Sequence, residues 1–314
     1  MDQQTTPSAA SQPLTLFTIP LEILSMILEQ FFCSAEPIRI GFPNPVASQR
    51  TPILRTCRKI HSEASRVLSP SLFTYHFAST YRMVDELINM PHSTISQMRN
   101  IRVKGYSFPL YTNEGYYTTY DCAYTLPLFP GLQLDRLIIE DTYHDDGEDG
   151  GWSDGGSYYD VCSLIESDGW KETWYVSPTT SFLTGTRSAT TLEAAQPQAW
   201  DRKIKERDGE DSGAECKLYI AKEAGKVGGA ENESTREEWQ VAAPSTTWGA
   251  VRPNRDDIDD REVLVVVKRA GNAKYVNDGS KLDPDIKRLF DELSWDEIKE
   301  TRYVSPEDDP SAHL

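Results

Sequence analysis

The chain predicts an α/β fold, or an α+β one, with a helical module at its N-terminus and irregular helix–strand units after it. Three observations predict this. Two segments near the N-terminus, Ile19 to Phe32 and Ile53 to Leu68, carry apolar residues at helical spacing. Further along, short β-branched and aromatic runs alternate with amphipathic stretches. The strand-like centres Ile101, Leu137 and Trp174 recur after 36 and 37 residues, a spacing that suggests repeated helix–strand units.

The first segment places Ile23, Leu24, Ile27, Leu28, Phe31 and Phe32 on one helical side. Pro20 sits where a first turn accepts proline, and Glu22 where the helix dipole favours an acid. The second segment repeats the pattern with Ile53, Leu54, Cys57, Ile60, Ala64, Val67 and Leu68. Its other side is basic through Arg55, Arg58, Lys59, His61 and Arg66, which reads as a solvated helix face. Helices this short need a partner for their apolar stripe. Between them, Cys33 to Pro52 holds Pro37, Gly41, Pro43, Pro45 and Pro52, too many breakers for a helix.

Tyr81 to Met90 reads as a helix burying Met83, Val84, Leu87 and Ile88. Strand-like runs follow at Ile101–Val103 and Leu137–Ile139. A helix over Tyr158 to Ser167 leads to a strand at Thr173–Val176. Trp200 to Arg207 reads as helical, and Lys217–Ile220 and Val263–Val267 as strands. A last helix starts at Asp283-Pro284 and buries Ile286, Leu289, Phe290 and Leu293, continuing past Trp295 to Ile298. The resulting division is a disordered leader at 1–14, a helical module at 15–78 with an irregular insert at 33–52, an α/β domain at 79–305 and a disordered tail at 306–314. Within the α/β domain, 144–156 and 225–260 read as mobile loops, because few apolar periodic residues occur there.

Composition excludes several functions. The formal charge is −17, and it is uneven. Residues 1–104 hold ten Lys/Arg and seven Asp/Glu, whereas the remainder holds 22 and 42. So acidic a C-terminal region repels phosphate backbones and anionic lipid surfaces, which argues against nucleic-acid and membrane partners. No apolar run is long enough to span a bilayer, and Met1 to Pro13 lacks a signal-peptide pattern. The five cysteines, Cys33, Cys57, Cys122, Cys162 and Cys216, form neither a disulfide framework nor a zinc spacing. An intracellular location, cytoplasmic or nuclear, follows from this usage. Cys57 and Cys162 read as small buried hydrophobes.

The chemistry-bearing motifs are weak. Gly151-Trp152-Ser153-Asp154-Gly155 matches a nucleophile-elbow pattern, but an acidic, glycine-rich loop precedes it where a strand is needed. The acids Asp145, Asp146, Glu148, Asp149 and Asp154 lack the spacing of a calcium loop. His61, His76, His92, His144 and His313 form no zinc motif, and no phosphate-binding glycine loop is present. No catalytic residue, cofactor or metal is therefore expected. Trp152, Trp170, Trp174, Trp200, Trp239, Trp248 and Trp295 remain as candidate interface anchors, with Trp170, Trp174 and Trp295 read as packing residues.

One resemblance points to a function. The run Ile19-Pro20-Leu21-Glu22-Ile23-Leu24-Ser25-Met26-Ile27-Leu28 resembles the opening helix of an F-box, with its apolar-Pro-x-Glu-apolar start. Leu54 to Ala64 is similar to the Leu-x-x-Cys-(Arg/Lys)-x-Ile-x-x-Glu-Ala segment of fungal F-box-like proteins, and Leu72 to Phe77 to the strand after it. The likeness covers roughly residues 15 to 105. It implies a non-enzymatic adaptor that docks a Skp-type subunit of a cullin–RING ubiquitin ligase and recruits a protein target through its second domain. Ile19, Pro20, Glu22, Ile23, Leu24 and Ile27 match the docking positions. The insert at 33–52 departs from the family, whose helices follow each other closely. The later units are reminiscent of a leucine-rich-repeat-like layer, without that repeat's consensus. The alternative is an orphan scaffold protein whose F-box-like helices are core. Exposure of Ile23, Leu24 and Ile27 separates the two, since core residues are buried and docking residues are not.

Overall fold

The computed structural model describes residues 19–33, 37–42, 51–106, 108–111, 117–142, 156–180, 197–239 and 261–302. The leader, the tail, the loop at 144–155, the Gly151–Gly155 motif and residues 240–260 lie outside the described residues.

Helix α1 (Leu21–Cys33) is followed by β1 (Ile38–Ile40), a 3-10 turn at Thr51–Arg55, α2 (Arg58–Val67) and β2 (Thr74–Phe77). The middle of the chain forms α3 (Thr80–Ile88), α4 (His92–Ile95), β3 (Asn100–Lys104), a hairpin of β4 (Phe108–Tyr111) and β5 (Tyr117–Tyr120), α5 (Cys122–Thr125), β6 (Leu134–Glu140), α6 (Gly156–Glu166) and β7 (Trp170–Ser177). The last third forms α7 (Pro197–Asp208), β8 (Glu215–Ala221), β9 (Arg236–Glu238), β10 (Val263–Lys268), α8 (Pro284–Glu292) and α9 (Trp295–Thr301). The fold is mixed α/β around one eight-stranded sheet of order β1-β2-β3-β6-β7-β10-β8-β9.

The first five strands of that order are parallel, and β10, β8 and β9 continue the sheet antiparallel. The 36-residue interval is a register: Ile101 lies opposite Leu137, and Leu137 opposite Thr173. Trp174 is therefore one residue beyond the repeat position and pairs with Ile138 on the other side of the sheet. A repeat layer would add further parallel strands; the antiparallel β10, β8 and β9 make this a mixed sheet instead.

One side of the sheet carries the main core. Phe77, Ile101, Val103, Leu137, Ile139, Leu218 and Val265 pack under Met83, Val84 and Leu87 of α3, Val161, Leu164 and Ile165 of α6, and Trp200 and Ile204 of α7. The other side holds a smaller cluster of Val176, Ala221, Ala230, Leu264 and Val266, with Trp174 and Tyr219 beside it. Along that side one cross-strand row alternates in charge: Arg136, Glu172, Lys268 and Glu215. Their ion-pair distances are 3.3, 4.0 and 3.7 Å.

The structure differs from the sequence expectations at four places. The insert contains β1, which pairs with β2 and forms one edge of the sheet. The second helix starts at Arg58, not Ile53, because Cys57 is extended (φ −161°) and caps it, its Sγ accepting from the Ile60 N–H at 3.4 Å. Cys57 is thus a cap and not only a small hydrophobe. The last helix is two helices, since Ser294 starts a capping box with Glu297. The stretch from Gly225 to Trp239 is held in place despite its polar sequence. Glu262 accepts from the Gly228 and Ala230 N–H groups at 2.7 and 2.8 Å, and Glu231 meets both terminal nitrogens of Arg102 at 2.7 and 2.9 Å.

Two ionic clusters tie distant elements together. At one end of α6 and α7, Arg269 of the β10 exit pairs with Asp208 at 2.7 Å; their side chains are 5% and 2% exposed. Arg207 pairs with Asp168 there and donates to the Ser167 carbonyl at 2.6 Å. Removing one partner of a buried pair strands the other charge. Arg269→Ala is expected to lower unfolding free energy by about 3 kcal/mol, read from urea denaturation.

On the second side of the sheet Glu140 pairs with Arg102 and lies 3.3 Å from Nε2 of the buried His76. Burial alone would raise the Glu140 pKa, but the His76 contact and the Arg102 guanidinium override it and hold the carboxyl at about 2. A folded pKa below the unfolded one stabilises above the unfolded value, and the gain is lost as pH falls through the folded one. Glu140→Gln is therefore expected to cost on the order of 3 kcal/mol at pH 7 and about half that at pH 3, measured by urea unfolding at both pH values.

Candidate docking face on the first helix

Helix α1 is anchored on one side and bare on another. Its N–H at Leu24 returns to the Pro20 carbonyl at 3.1 Å, so Pro20 opens the first turn. Leu24, Leu28 and Phe32 are buried and pack on Ile60 and Ala64 of α2. Ile19, Phe31, Ile53, Leu54, Leu68 and Phe73 fill the rim of this cluster, which is separate from the main core. Phe73 precedes β2, so the helix pair sits where that strand begins.

Three further apolar residues of α1 are exposed instead. Ile23, Met26 and Ile27 are 45%, 62% and 43% exposed. These three lie within about 100° of arc, roughly opposite the Leu24–Leu28–Phe32 stripe. The sequence reads all these residues as one side. The structure divides them, because the apolar positions span a wider arc than one facing helix can cover.

Of the six expected docking residues, Pro20, Glu22, Ile23 and Ile27 are exposed and Ile19 is half-buried. Leu24 is the correction: at 1% exposure it belongs to the α1–α2 core. Met26 was missed and is the most exposed of the stripe. Its position three residues after Ile23 is the signal that locates it. Leu21 is also exposed, but lies on the other flank of the first turn. The basic residues Arg55, Arg58, Lys59, His61 and Arg66 are all exposed, and Arg66 meets Glu63 at 3.3 Å.

Other chemistry-bearing residues have structural partners. His76 faces Glu140, and the ring of Phe42 packs on it at 4.6 Å. Burial, together with neighbouring Asp201, pushes the Cys216 thiol above its ordinary value, so it packs as an apolar group. Among the described residues, no group of three or more His, Cys, Asp and Glu side chains is placed to hold a metal ion. No described helix is long and apolar enough to cross a membrane. No protein-family model, curated protein or solved structure matches the chain.

The divided helix predicts two different outcomes for neighbouring residues. Leu24→Ala is expected to destabilise the chain by about 3 kcal/mol through lost packing. Ile23→Asp, one residue away, is expected to change unfolding free energy by no more than about 0.5 kcal/mol. Urea denaturation of both variants reads the difference.

Proposed function

We propose that the chain is a non-enzymatic F-box-like adaptor of the cytosol or nucleus. The observation that carries this reading is the exposed stripe of Ile23, Met26 and Ile27 on a helix held rigid from behind by Leu24, Leu28 and Phe32. An exposed apolar stripe on a fixed helix offers a partner a preformed anchor, and so a smaller ordering cost on binding. Ile19, Pro20, Glu22, Ile23 and Ile27 also match the F-box docking pattern. A Skp-type subunit of a cullin–RING ubiquitin ligase is the partner this pattern implies. Leu24 then supports the docking residues from beneath. The α/β domain recruits the protein target, and the mechanism is proximity: the target is held near the ubiquitin-transferring machinery. Contacts of this kind need no acid–base chemistry.

A second reading is favoured by β1. Its pairing with β2 builds the insert, and with it the helix pair, into the sheet. A scaffold protein that uses these helices only as structure would look the same from behind α1. It leaves the outer stripe without a role.

Calorimetric titration of the full chain with a Skp-type subunit tests the proposal. Micromolar or tighter binding is expected, with loss of binding in Ile23→Asp and Ile27→Asp at an unchanged urea midpoint. Absence of binding by the folded chain would overturn the adaptor reading and leave the scaffold reading.

A further inference from the structure

The sheet has two edges, and among the described residues no further strand pairs with the one formed by β9. The Trp239 N–H donates to the Leu218 carbonyl at 2.8 Å, and the Lys222 N–H to the Thr235 carbonyl at 2.9 Å. Antiparallel ladders alternate, so the N–H and C=O groups of Arg236 and Glu238 point away from β8, outward from the sheet. Glu237, Glu238 and Trp239 are exposed along this edge.

A cleft of about 500 Å³ runs beside it, between α7 and strands β8 and β9. Asp201, Lys205 and Glu206 line it from α7, Glu210 from the turn that follows, and Glu238 and Trp239 from the edge. Three acids near it are already matched. Lys205 pairs with Asp201 at 2.6 Å, Arg202 with Glu206 at 3.6 Å, and Lys217 with Glu215 at 2.9 Å. Glu210 and Glu238 have no ion pair among the described residues. Trp239 is 41% exposed, while the other described tryptophans are buried or half-buried, and its ring has no aromatic or cationic partner among the described residues.

We propose that the β9 edge and the α7 cleft bind an extended, basic segment of another protein by strand addition. The segment's backbone pairs with the outward groups of Arg236 and Glu238. A Lys or Arg side chain on its α7-facing side enters the cleft, lies over Trp239 and meets the carboxylate of Glu210, while Glu238, opposite Tyr219, adds its charge from the other side of the strand. A strand edge flanked by a helix is a general geometry for peptide capture, in which main-chain bonds give affinity and side-chain pockets give selectivity. Cations bind over tryptophan in preference to other rings. The occupant is not a second copy of this edge. Two β9 strands paired antiparallel in their fullest register, Arg236 opposite Glu238, would set Glu237 against its own copy, and like charges opposite one another destabilise a sheet. The chain's net charge of −17 draws a basic segment and repels a copy of itself.

Fluorescence anisotropy of the full chain with a labelled hexapeptide of alternating Lys and Val tests this, with no Skp-type subunit present, so that failure here is separate from failure at α1. Saturable binding is expected, weakened at least about tenfold by Trp239→Ala and by Glu210→Lys and little changed by Glu292→Lys on α8. The same peptide N-methylated at alternate residues, which cannot pair as a strand, is expected to lose binding to a similar degree. Equal binding of the methylated peptide would overturn the proposal in favour of general charge attraction. No binding of either peptide would overturn it outright. A concentration-dependent dimer that Trp239→Ala abolishes would also overturn it, and would make a second copy the occupant.

Discussion

The rest of the molecule depends on the order of its five parallel strands. β1, β2, β3, β6 and β7 lie side by side in the order in which the chain makes them. Parallel connections are right-handed, and a sheet that grows in one direction puts every right-handed crossover on the same side. The helices α3 to α7 therefore share one side, and the large core forms there. Among the described residues the second side receives no crossover helix between these strands. It needs another way to satisfy its residues, and the structure supplies two: cross-strand charge pairing, and a loop folded over it.

Both devices are visible around Arg102. Burial works against its charge, yet Glu231 and Glu140 together hold its pKa above the ordinary value. Glu231 lies 129 positions away in the chain, so this contact fastens the 225–235 stretch to the middle of the sheet. Glu262 secures the same stretch from the start of β10. These polar contacts hold the stretch that carries Ala230 against Ala221 and Leu264 of the small cluster. Further along, the Arg236 guanidinium lies 4.1 Å from the Tyr219 ring and that of Arg136 lies 4.3 Å from the Trp174 ring. Aromatic residues on this side are covered by cations instead of by helices.

Much of this was legible in the sequence, and the misses have physical causes. Helices and strands with a clear apolar period, such as α3, β6 and β10, fall where the period puts them. The α/β class follows from their alternation. What periodicity cannot encode is partnership. The apolar width of α1 predicts burial, but not that α2 covers only the Leu24 stripe and leaves Ile23 and Ile27 outside. Prolines in 33–52 correctly deny a helix, yet they do not reveal that Ile38–Ile40 adds to β2 as an edge strand. The 225–239 stretch looked unstructured because its order comes from two glutamates and an arginine far away in the chain, and pattern reading of a local window does not see such contacts. Trp239 stood in the sequence as one tryptophan of seven; only the register of β9 sets it apart.

The positions of the two candidate surfaces bear on what the sheet is for. The helix pair sits at the start of β2, next to the β1 edge, and the cleft sits at the β9 edge. Seven inter-strand steps separate these edges, about 34 Å at the usual spacing between strands. Helices brace this sheet on one side, and the Arg269–Asp208 and Arg102–Glu231 pairs tie distant parts of the chain to it. An adaptor needs such bracing: a partner bound at one end must stand at a fixed distance and angle from a partner bound at the other. The proposed adaptor would use both the exposed apolar stripe at one end and the acidic edge, unpaired among the described residues, at the other. Leaving both uncovered carries an aggregation risk, and the acids beside β9 reduce that risk at one end. The stripe on α1 has no comparable protection among the described residues, which favours the proposed docking role over a purely structural one.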